Sequence, residues 1–283
     1  RVIERFVKKI LKIIFLFNRI KSMFKKIRST VGKLFTVPTQ QRITLFLSAT
    51  FWKVRKYFLG VEIIYNEDFT NNWQTIKKIS AQDKERNFTL YQVLKLHNSI
   101  FTKNHKNIIE FGVFRGSSLM TITKFVNDQT DIYGIDQFGE YADQLEFNNK
   151  YDDHYINYNP FNKTDCFKYF DYKKLEEKLN DPTKKKRVKI LPWCFPKNVN
   201  QKDYDLLKNL KFSFVNLDLD LYEATLAAIN FVLPRLEQNA IILMDDFNFI
   251  NQTGVSKAVK DSNLSLDKTI QTSSGQLIYF NTN

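Results

Sequence analysis

The sequence predicts an α/β fold built on a doubly wound, mostly parallel sheet that ends in an antiparallel hairpin. Five short apolar runs of strand length alternate with amphipathic segments of helical period. Strands separated by helices form parallel sheets that are covered on both faces. The last two strand-like segments flank Ser274-Gly275, a sequence typical of a tight turn. A basic amphipathic helix is expected to precede this sheet.

The first 60 residues hold nearly all of the net charge of the 283-residue chain. They contain 15 Lys and Arg residues against one acidic residue, Glu4, whereas the rest of the chain contains 28 basic and 29 acidic residues. Apolar residues recur at helical spacing over residues 1–33, with basic residues on the other side. We therefore expect two domains, a basic helical arm with its linker at 1–60 and an α/β domain at 61–283.

The basic arm has two interpretations of equal weight. Residues 1–36 either lie in an anionic membrane surface, where each Lys or Arg contributes about 1 kcal/mol, or pack on protein. The longest apolar run, residues 13–17, is far shorter than the roughly 20 residues of a membrane-spanning helix. It also lacks the features of a signal peptide. Only Cys166 and Cys194 occur, in no paired motif, so we expect a cytoplasmic protein, which would be peripheral to the inner face of the membrane if residues 1–36 bind the membrane surface.

The elements follow one another in a regular order. Residues 38–72 are expected to form an irregular connection with a short helix at 45–58, and a helix is predicted at 86–101. Strands are predicted at 107–111, 131–135, 187–191, 212–217 and 240–244, and helices at 117–126, 173–180, 202–210 and 222–236. The final hairpin is predicted to pair 269–273 with 276–280.

Residues 137–171 are too many for an ordinary connection and are rich in Tyr and Phe. They follow the carboxyl end of the second strand, the edge at which parallel sheets bind ligands. We therefore predict a lid, with a plain insertion packed by its own aromatic residues as the alternative.

A glycine turn after the first strand is typical of a ligand site. Gly112 permits a tight turn, and Gly116 and Ser117 place free N–H groups at the start of a helix, where an anion is favoured. The bulky Val113-Phe114 pair argues against a bound pyrophosphate and leaves room for a smaller anion such as a carboxylate.

The second strand ends at Asp136, where an acidic residue accepts hydrogen bonds from ribose hydroxyls. One carboxylate, one ribose and no phosphate favour S-adenosylmethionine over NAD as the cofactor. The predicted cofactor-binding residues are Glu110, Gly112, Val113, Gly116, Ser117 and Asp136.

Two pairs of carboxylates follow the last two parallel strands. Asp218 and Asp220 point to one side because a strand has a side-chain period of two, and Asp245-Asp246 end the next strand. Because neighbouring parallel strands end at the same edge, we expect all four to converge. Like charges this close need a cation, a proton or good solvation.

These motifs resemble the macrocin O-methyltransferase family, the TylF-type sugar methyltransferases. The resemblance covers roughly residues 85–265. The matching motifs are E-x-G-V-x-R-G at 110–116, I-D-x-F at 135–138, D-x-D-L-Y-E-A-T at 218–225 and D-D-F at 245–247.

The resemblance implies a Rossmann-like class I methyltransferase that uses S-adenosylmethionine and Mg²⁺, or another hard divalent cation, to methylate a sugar hydroxyl. The acceptor would be a glycan, a glycolipid precursor or a glycosylated natural product. Asp218, Asp245 and Asp246 would hold the metal, and Asp220 would be the general base. The chain departs from the family at Leu219, where a glycine is common, and at Gln137, where a serine is familiar.

A second hypothesis is a catalytically inactive, methyltransferase-like scaffold that acts through its basic arm. A nucleic-acid methyltransferase is disfavoured, because the nearly neutral main domain lacks a basic track for phosphates. The sequence leaves open whether the chain forms a homo-oligomer.

Overall fold

The computed structural model describes residues 64–102, 106–139, 151–152, 170–180, 183, 186–247 and 253–282. The predicted arm at 1–60, its short helix at 45–58 and most of the predicted lid at 137–171 lie outside these residues. Within the described part, no helix has the length and apolar character needed to cross a membrane.

The fold is the predicted α/β arrangement around one seven-stranded sheet, with strand order β3-β2-β1-β4-β5-β7-β6. Strands β1 to β5 are parallel, and β7 runs antiparallel to both β5 and β6. The strands are β1 (Lys106–Phe111), β2 (Thr130–Asp136), β3 (Arg187–Pro192), β4 (Phe212–Leu217), β5 (Leu236–Met244), β6 (Thr269–Gln271) and β7 (Leu277–Phe280).

Helices cover both faces of the sheet. One apolar cluster joins the sheet to the second and third helices, and another joins its opposite face to the fifth, sixth and seventh. The described helices are α1 (Glu67–Ile76), α2 (Lys84–Ile100), α3 (Ser117–Phe125), α4 (Tyr172–Leu179), α5 (Gln201–Lys208), α6 (Tyr222–Val232) and α7 (Thr253–Asp261).

The structure corrects three predicted boundaries. Residues 38–72 were expected to be irregular apart from one short helix, but α1 begins at Glu67, where Asn66 caps it by accepting from the Phe69 N–H at 2.9 Å. The helix predicted at 222–236 ends at Val232, because Pro234 lies in the 3₁₀ turn Leu233–Arg235 that follows. Strand β5 then begins at Leu236, four residues earlier than predicted.

Helix α4 closes the outer edge of the sheet beside β3. The Asn180 amide donates to the Val188 carbonyl oxygen at 2.7 Å and accepts from the Val188 N–H at 2.8 Å. A Glu176 carboxylate oxygen accepts from the Ile190 N–H at 2.5 Å. Side chains of α4 therefore take the place of a further strand at this edge.

Candidate active site at the carboxyl edge of the sheet

The turn from β1 to α3 runs through two glycines with positive φ, 91° at Gly112 and 83° at Gly116. A Cβ atom on Gly116 would lie 2.3 Å from Leu175 Cδ2, so α4 packs directly on the turn. Ser117, the first residue of α3, is buried. Contrary to the prediction, the Gly116 N–H is not free, because it donates to the Val113 carbonyl oxygen at 2.8 Å. The first N–H groups of α3, from Ser117 onward, are the ones that a small anion can approach.

Asp136 joins this turn to the end of β2. One of its carboxylate oxygens accepts from the Phe114 N–H at 2.7 Å, and the other accepts from the Phe138 N–H at 2.8 Å. Burial raises the pKa of Asp136, and these backbone hydrogen bonds oppose the rise. Asp136 therefore holds the turn after β1 against the end of β2.

Glu110 lies beneath the turn and is fully buried, as is Val113 above it. Its Oε1 accepts from the Asn216 amide at 2.7 Å, whereas its Oε2 has no hydrogen-bond partner. Burial raises the pKa of Glu110 to about 7. A carboxyl group with this pKa is only partly ionised near neutral pH.

The four aspartates that follow β4 and β5 start at the same level, because Leu217 pairs with Met244 at the strand ends. Carboxylate oxygens of Asp218, Asp220 and Asp246 lie within 4.8 Å of one another. Burial and the neighbouring carboxylates raise the pKa of Asp218 well above its ordinary value. Three converging carboxylates without sulfur or imidazole ligands form a donor set that suits a hard cation such as Mg²⁺.

Asp245 points instead toward α2. Its Oδ2 accepts from Gln82 Nε2 at 2.8 Å and from Arg86 Nη1 at 3.0 Å. Burial raises the pKa of Asp245 to about 6, and the charge of Arg86 opposes the rise.

Gln82 and Arg86 tie the cluster together, and the sequence does not reveal either of them. Gln82 Nε2 also donates to Asp218 Oδ2 at 2.9 Å, and Arg86 Nη2 lies 2.6 Å from Asp246 Oδ1. Burial lowers the pKa of Arg86, but the charges of Asp245 and Asp246 outweigh it and raise this pKa well above its ordinary value. The only local signal is Asp83, which caps α2 and marks where that helix begins.

Asp220 forms the centre of a strained three-residue turn. The Leu221 N–H donates to the Leu219 carbonyl oxygen at 2.7 Å, and Asp220 has a φ of 64°. This combination is the rare γ-turn with positive φ. The side chain of Leu219, which stands where the family has glycine, packs against the core as expected.

Backbone strain concentrates at this edge of the sheet. Of the six non-glycine residues with positive φ in the described part of the chain, four lie here: Phe114, Phe138, Asp220 and Asp246. Such conformations persist only where the surrounding structure imposes them, and they cluster at functional sites. The structure thus brings the predicted cofactor residues and the four predicted carboxylates to one edge.

Comparison with known proteins identifies the fold of this chain. No protein-family model and no curated protein match the chain. The structure is similar to the O-methyltransferase NovP, with 16% identity and a TM-score of 0.52 over 72% of this chain and 83% of that one. It is also similar to CalS11, a calicheamicin methyltransferase, with 18% identity and a TM-score of 0.51 over 81% and 90%. The fold is therefore the Rossmann-like fold of methyltransferases.

Proposed function

We propose that this protein is an S-adenosylmethionine-dependent O-methyltransferase that uses a divalent cation to methylate a sugar hydroxyl. The observation that carries the proposal is the strained Asp220 turn, which adds a carboxylate to Asp218 and Asp246. An acidic residue held in this way, beside other carboxylates and next to a glycine turn, suits a general base. The similarity in fold to CalS11, a calicheamicin methyltransferase, supports a small-molecule acceptor.

The glycine turn and Asp136 would bind the methyl donor. The N–H groups at the start of α3, from Ser117 onward, suit the carboxylate of the methionine part, and Gly116 shapes the turn before them. Asp136, at the end of β2, suits the ribose hydroxyls. Gly112 and Val113 form the wall beside the donor, with Glu110 behind it. These residues orient the donor and exclude water from the methyl group.

Asp218 and Asp246 would hold the cation in either of two ligand sets. The set implied by the family resemblance adds Asp245, whereas the group of carboxylates that converges within 4.8 Å adds Asp220. When bound, a hard divalent cation lowers the pKa of a hydroxyl and orients it. Asp220 takes the proton of a sugar hydroxyl held beside it, and the oxygen attacks the sulfonium methyl group in line. The new C–O bond forms as the C–S bond breaks, and S-adenosylhomocysteine leaves.

Replacement of Asp220 tests this proposal. S-adenosylmethionine binding is measured by calorimetry, and turnover is measured as S-adenosylhomocysteine release with a panel of free and nucleotide-linked hexoses. In Asp220→Asn we expect unchanged binding and a loss of turnover of about a hundredfold or more. Full activity in this variant would refute the assigned base. Activity in EDTA equal to that in Mg²⁺ would refute the proposed need for a cation.

The second candidate is an inactive scaffold that acts through residues 1–60, and the charge of this segment favours it. In this case the division between 1–60 and 61–283 separates a docking arm from a methyltransferase-like domain. Failure of the full chain to bind S-adenosylmethionine would favour this candidate. Flotation with anionic liposomes, with and without residues 1–36, tests the arm, and equal flotation of both forms would exclude membrane docking by residues 1–36.

A further inference from the structure

Helix α6 begins two residues after Asp220, and a distant residue caps it. Its own N-cap residue, Leu221, makes no side-chain cap hydrogen bond. Instead, the carboxylate of Asp152 accepts from the Tyr222 N–H at 3.0 Å with Oδ1 and at 3.1 Å with Oδ2. Asp152 is only 3% exposed. A carboxylate at this position satisfies a free N–H group and favours the helix dipole.

Helix α7 leaves space for this carboxylate. A Cβ atom on Gly254 would lie 2.1 Å from Asp152 Oδ1 and 3.0 Å from the Tyr222 nitrogen. The φ of Gly254 lies outside the positive range. The glycine is therefore needed for space and not for its conformation.

A second contact fastens the same short segment. The Thr253 hydroxyl donates to the Tyr151 carbonyl oxygen at 2.9 Å, and the rings of Tyr151 and Tyr222 lie 5.3 Å apart. Residues 151–152 thus contact the first residues of two helices, α6 and α7. These contacts join residues 151–152 of the predicted lid to the helix that begins after the Asp220 turn.

The attachment bears directly on the Asp220 turn. On the strand side, the Asp218 N–H donates to the Phe111 carbonyl oxygen at 2.8 Å. On the helix side, the Leu221 carbonyl oxygen accepts from the Thr225 N–H at 3.0 Å, and the adjacent Tyr222 N–H donates to Asp152. A strained turn keeps its conformation only when both of its ends are held.

We propose that Asp152 is a positioning residue for the candidate active site. It belongs to the segment predicted as a lid, and it fixes the start of α6 and through it the Asp220 carboxylate. The catalytic part of this inference rests on the proposed methyltransferase function. The structural part, the coupling of residue 152 to the Asp220 turn, stands without it.

Hydrogen exchange of the full-length protein tests the coupling, with Asp152→Ala, Asp152→Asn and Asn200→Ala as variants. Asn200 caps α5 through the Asp203 N–H at 3.2 Å, so Asn200→Ala removes an N-cap away from the acidic cluster. We expect Asp152→Ala to speed exchange in residues 221–225 at least about fivefold, the value for a lost N-cap. Asp152→Asn should restore most of the protection, since Asn caps helices as well as Asp does.

Turnover and cofactor affinity give the second measurement, with the hexose of the panel that the wild type methylates fastest. In Asp152→Ala we expect kcat to fall at least about tenfold while the dissociation constant of S-adenosylmethionine stays unchanged, because the base is misplaced. Asn200→Ala should leave kcat unchanged. If Asp152→Ala does not fold, Gly254→Ala carries the same test, since its methyl group displaces the carboxylate.

Wild-type exchange rates in residues 221–225 of Asp152→Ala would overturn the coupling. An equal loss of kcat in Asn200→Ala would overturn the positioning role. A wild type that methylates no hexose refutes the proposed function alone, because the exchange measurement does not depend on activity.

Discussion

A Cβ atom on Gly112 would lie 1.8 Å from the backbone carbonyl oxygen of Asp218. The glycine turn after β1 and the start of the acidic cluster are therefore in direct backbone contact. Since Gly112 also has a φ of 91°, both space and conformation require glycine here. A change in the turn must move Asp218, and a change at Asp218 must move the turn.

Gly112→Ala is expected to damage both stability and cofactor binding. An L-residue in the left-handed region costs about 1–2 kcal/mol, and the clash with a fixed backbone adds about 1–3 kcal/mol. The free energy of unfolding, measured with urea, should fall by about the sum. Binding of S-adenosylmethionine should weaken at least about tenfold, because the turn is displaced.

Gly275→Ala is the matched control, since Gly275 has a φ of 89° in the turn between β6 and β7. It should lower the free energy of unfolding by only about 1–2 kcal/mol and leave cofactor binding unchanged. Equal effects of the two substitutions on binding would contradict the direct contact.

Arg86→Met tests whether the guanidinium is a built-in counter-charge for Asp245 and Asp246. Breaking a buried ion pair leaves uncompensated charge and costs about 3–5 kcal/mol. The variant should melt at a lower temperature than the wild type, and Mg²⁺ should restore more stability to the variant than to the wild type. Thermal unfolding with and without Mg²⁺ measures both effects.

The control for Arg86 is Lys189→Met. Lys189 pairs with Asp203 at 2.5 Å, but its side chain is 45% exposed, so the loss should stay below about 1 kcal/mol. Mg²⁺ should not rescue this variant selectively. Equal stabilisation of the Arg86 variant and the wild type by Mg²⁺ would argue against the counter-charge.

Glu110→Gln tests the pH dependence that the buried carboxyl group imposes. The pKa is raised from 4.5 to about 7 in the folded protein, so the unfolded chain loses this proton first as pH rises. The contribution of protonated Glu110 to the free energy of unfolding is fully present below pH 4.5, falls between pH 4.5 and 7, and is lost above pH 7. The total loss is about 3 kcal/mol.

Urea unfolding between pH 5 and 8 measures this effect as the difference between the two proteins. The wild type should lose stability relative to Glu110→Gln as pH rises, since the amide does not ionise. Buried acids that do not interact with Glu110 contribute equally to both proteins and cancel, whereas Asp136 acts on Glu110 directly. Parallel stability curves would show that Glu110 does not titrate in this range.

Asn substitutions at the four aspartates identify the cation ligands. Asp218→Asn and Asp246→Asn should each weaken Mn²⁺ binding at least about tenfold in a calorimetric titration, because each of these residues is a member of both ligand sets. The cation-free Asp218→Asn protein should be no less stable than the wild type, because removing a like charge relieves repulsion. Asp261→Asn, at the end of α7, is the control and should bind Mn²⁺ normally.

The remaining two aspartates decide between the sets. A loss of Mn²⁺ affinity in Asp245→Asn as large as the loss in Asp246→Asn supports the set implied by the family resemblance. A loss of Mn²⁺ affinity in Asp220→Asn with little change in Asp245→Asn supports the set of Asp218, Asp220 and Asp246. Normal affinity in Asp218→Asn and Asp246→Asn would refute a cation site in this cluster.

Much of the fold follows from local pattern. Strand β4 occupies the predicted residues 212–217, because a strand that is buried along its whole length is mostly apolar, and here only Ser213 and Asn216 are polar. The hairpin of β6 and β7 forms around Ser274-Gly275 as predicted. Where the prediction failed, at the start of β5, the residues Glu237, Gln238 and Asn239 are polar and only partly buried or exposed, so the strand has no apolar signal there.

The contacts between distant residues do not follow from local pattern. Asp218 and Asp245 were expected to converge, since neighbouring parallel strands end together. Arg86 reaches Asp245 across 159 positions, and Asp152 reaches Tyr222 across 70. Such contacts depend on how α2 and the segment around residue 152 pack on the sheet, and neither residue carries a motif of its own.

The hydrogen bonds of Glu176 and Asn180 to β3 also govern how copies of this protein can associate. An open strand edge offers backbone groups to any extended peptide and is a route to aggregation. Here the outward N–H and C=O groups of Val188 and the N–H of Ile190 are already satisfied by α4. Two molecules therefore cannot merge their sheets through β3 into one continuous sheet, and self-assembly on this side must use side-chain surfaces.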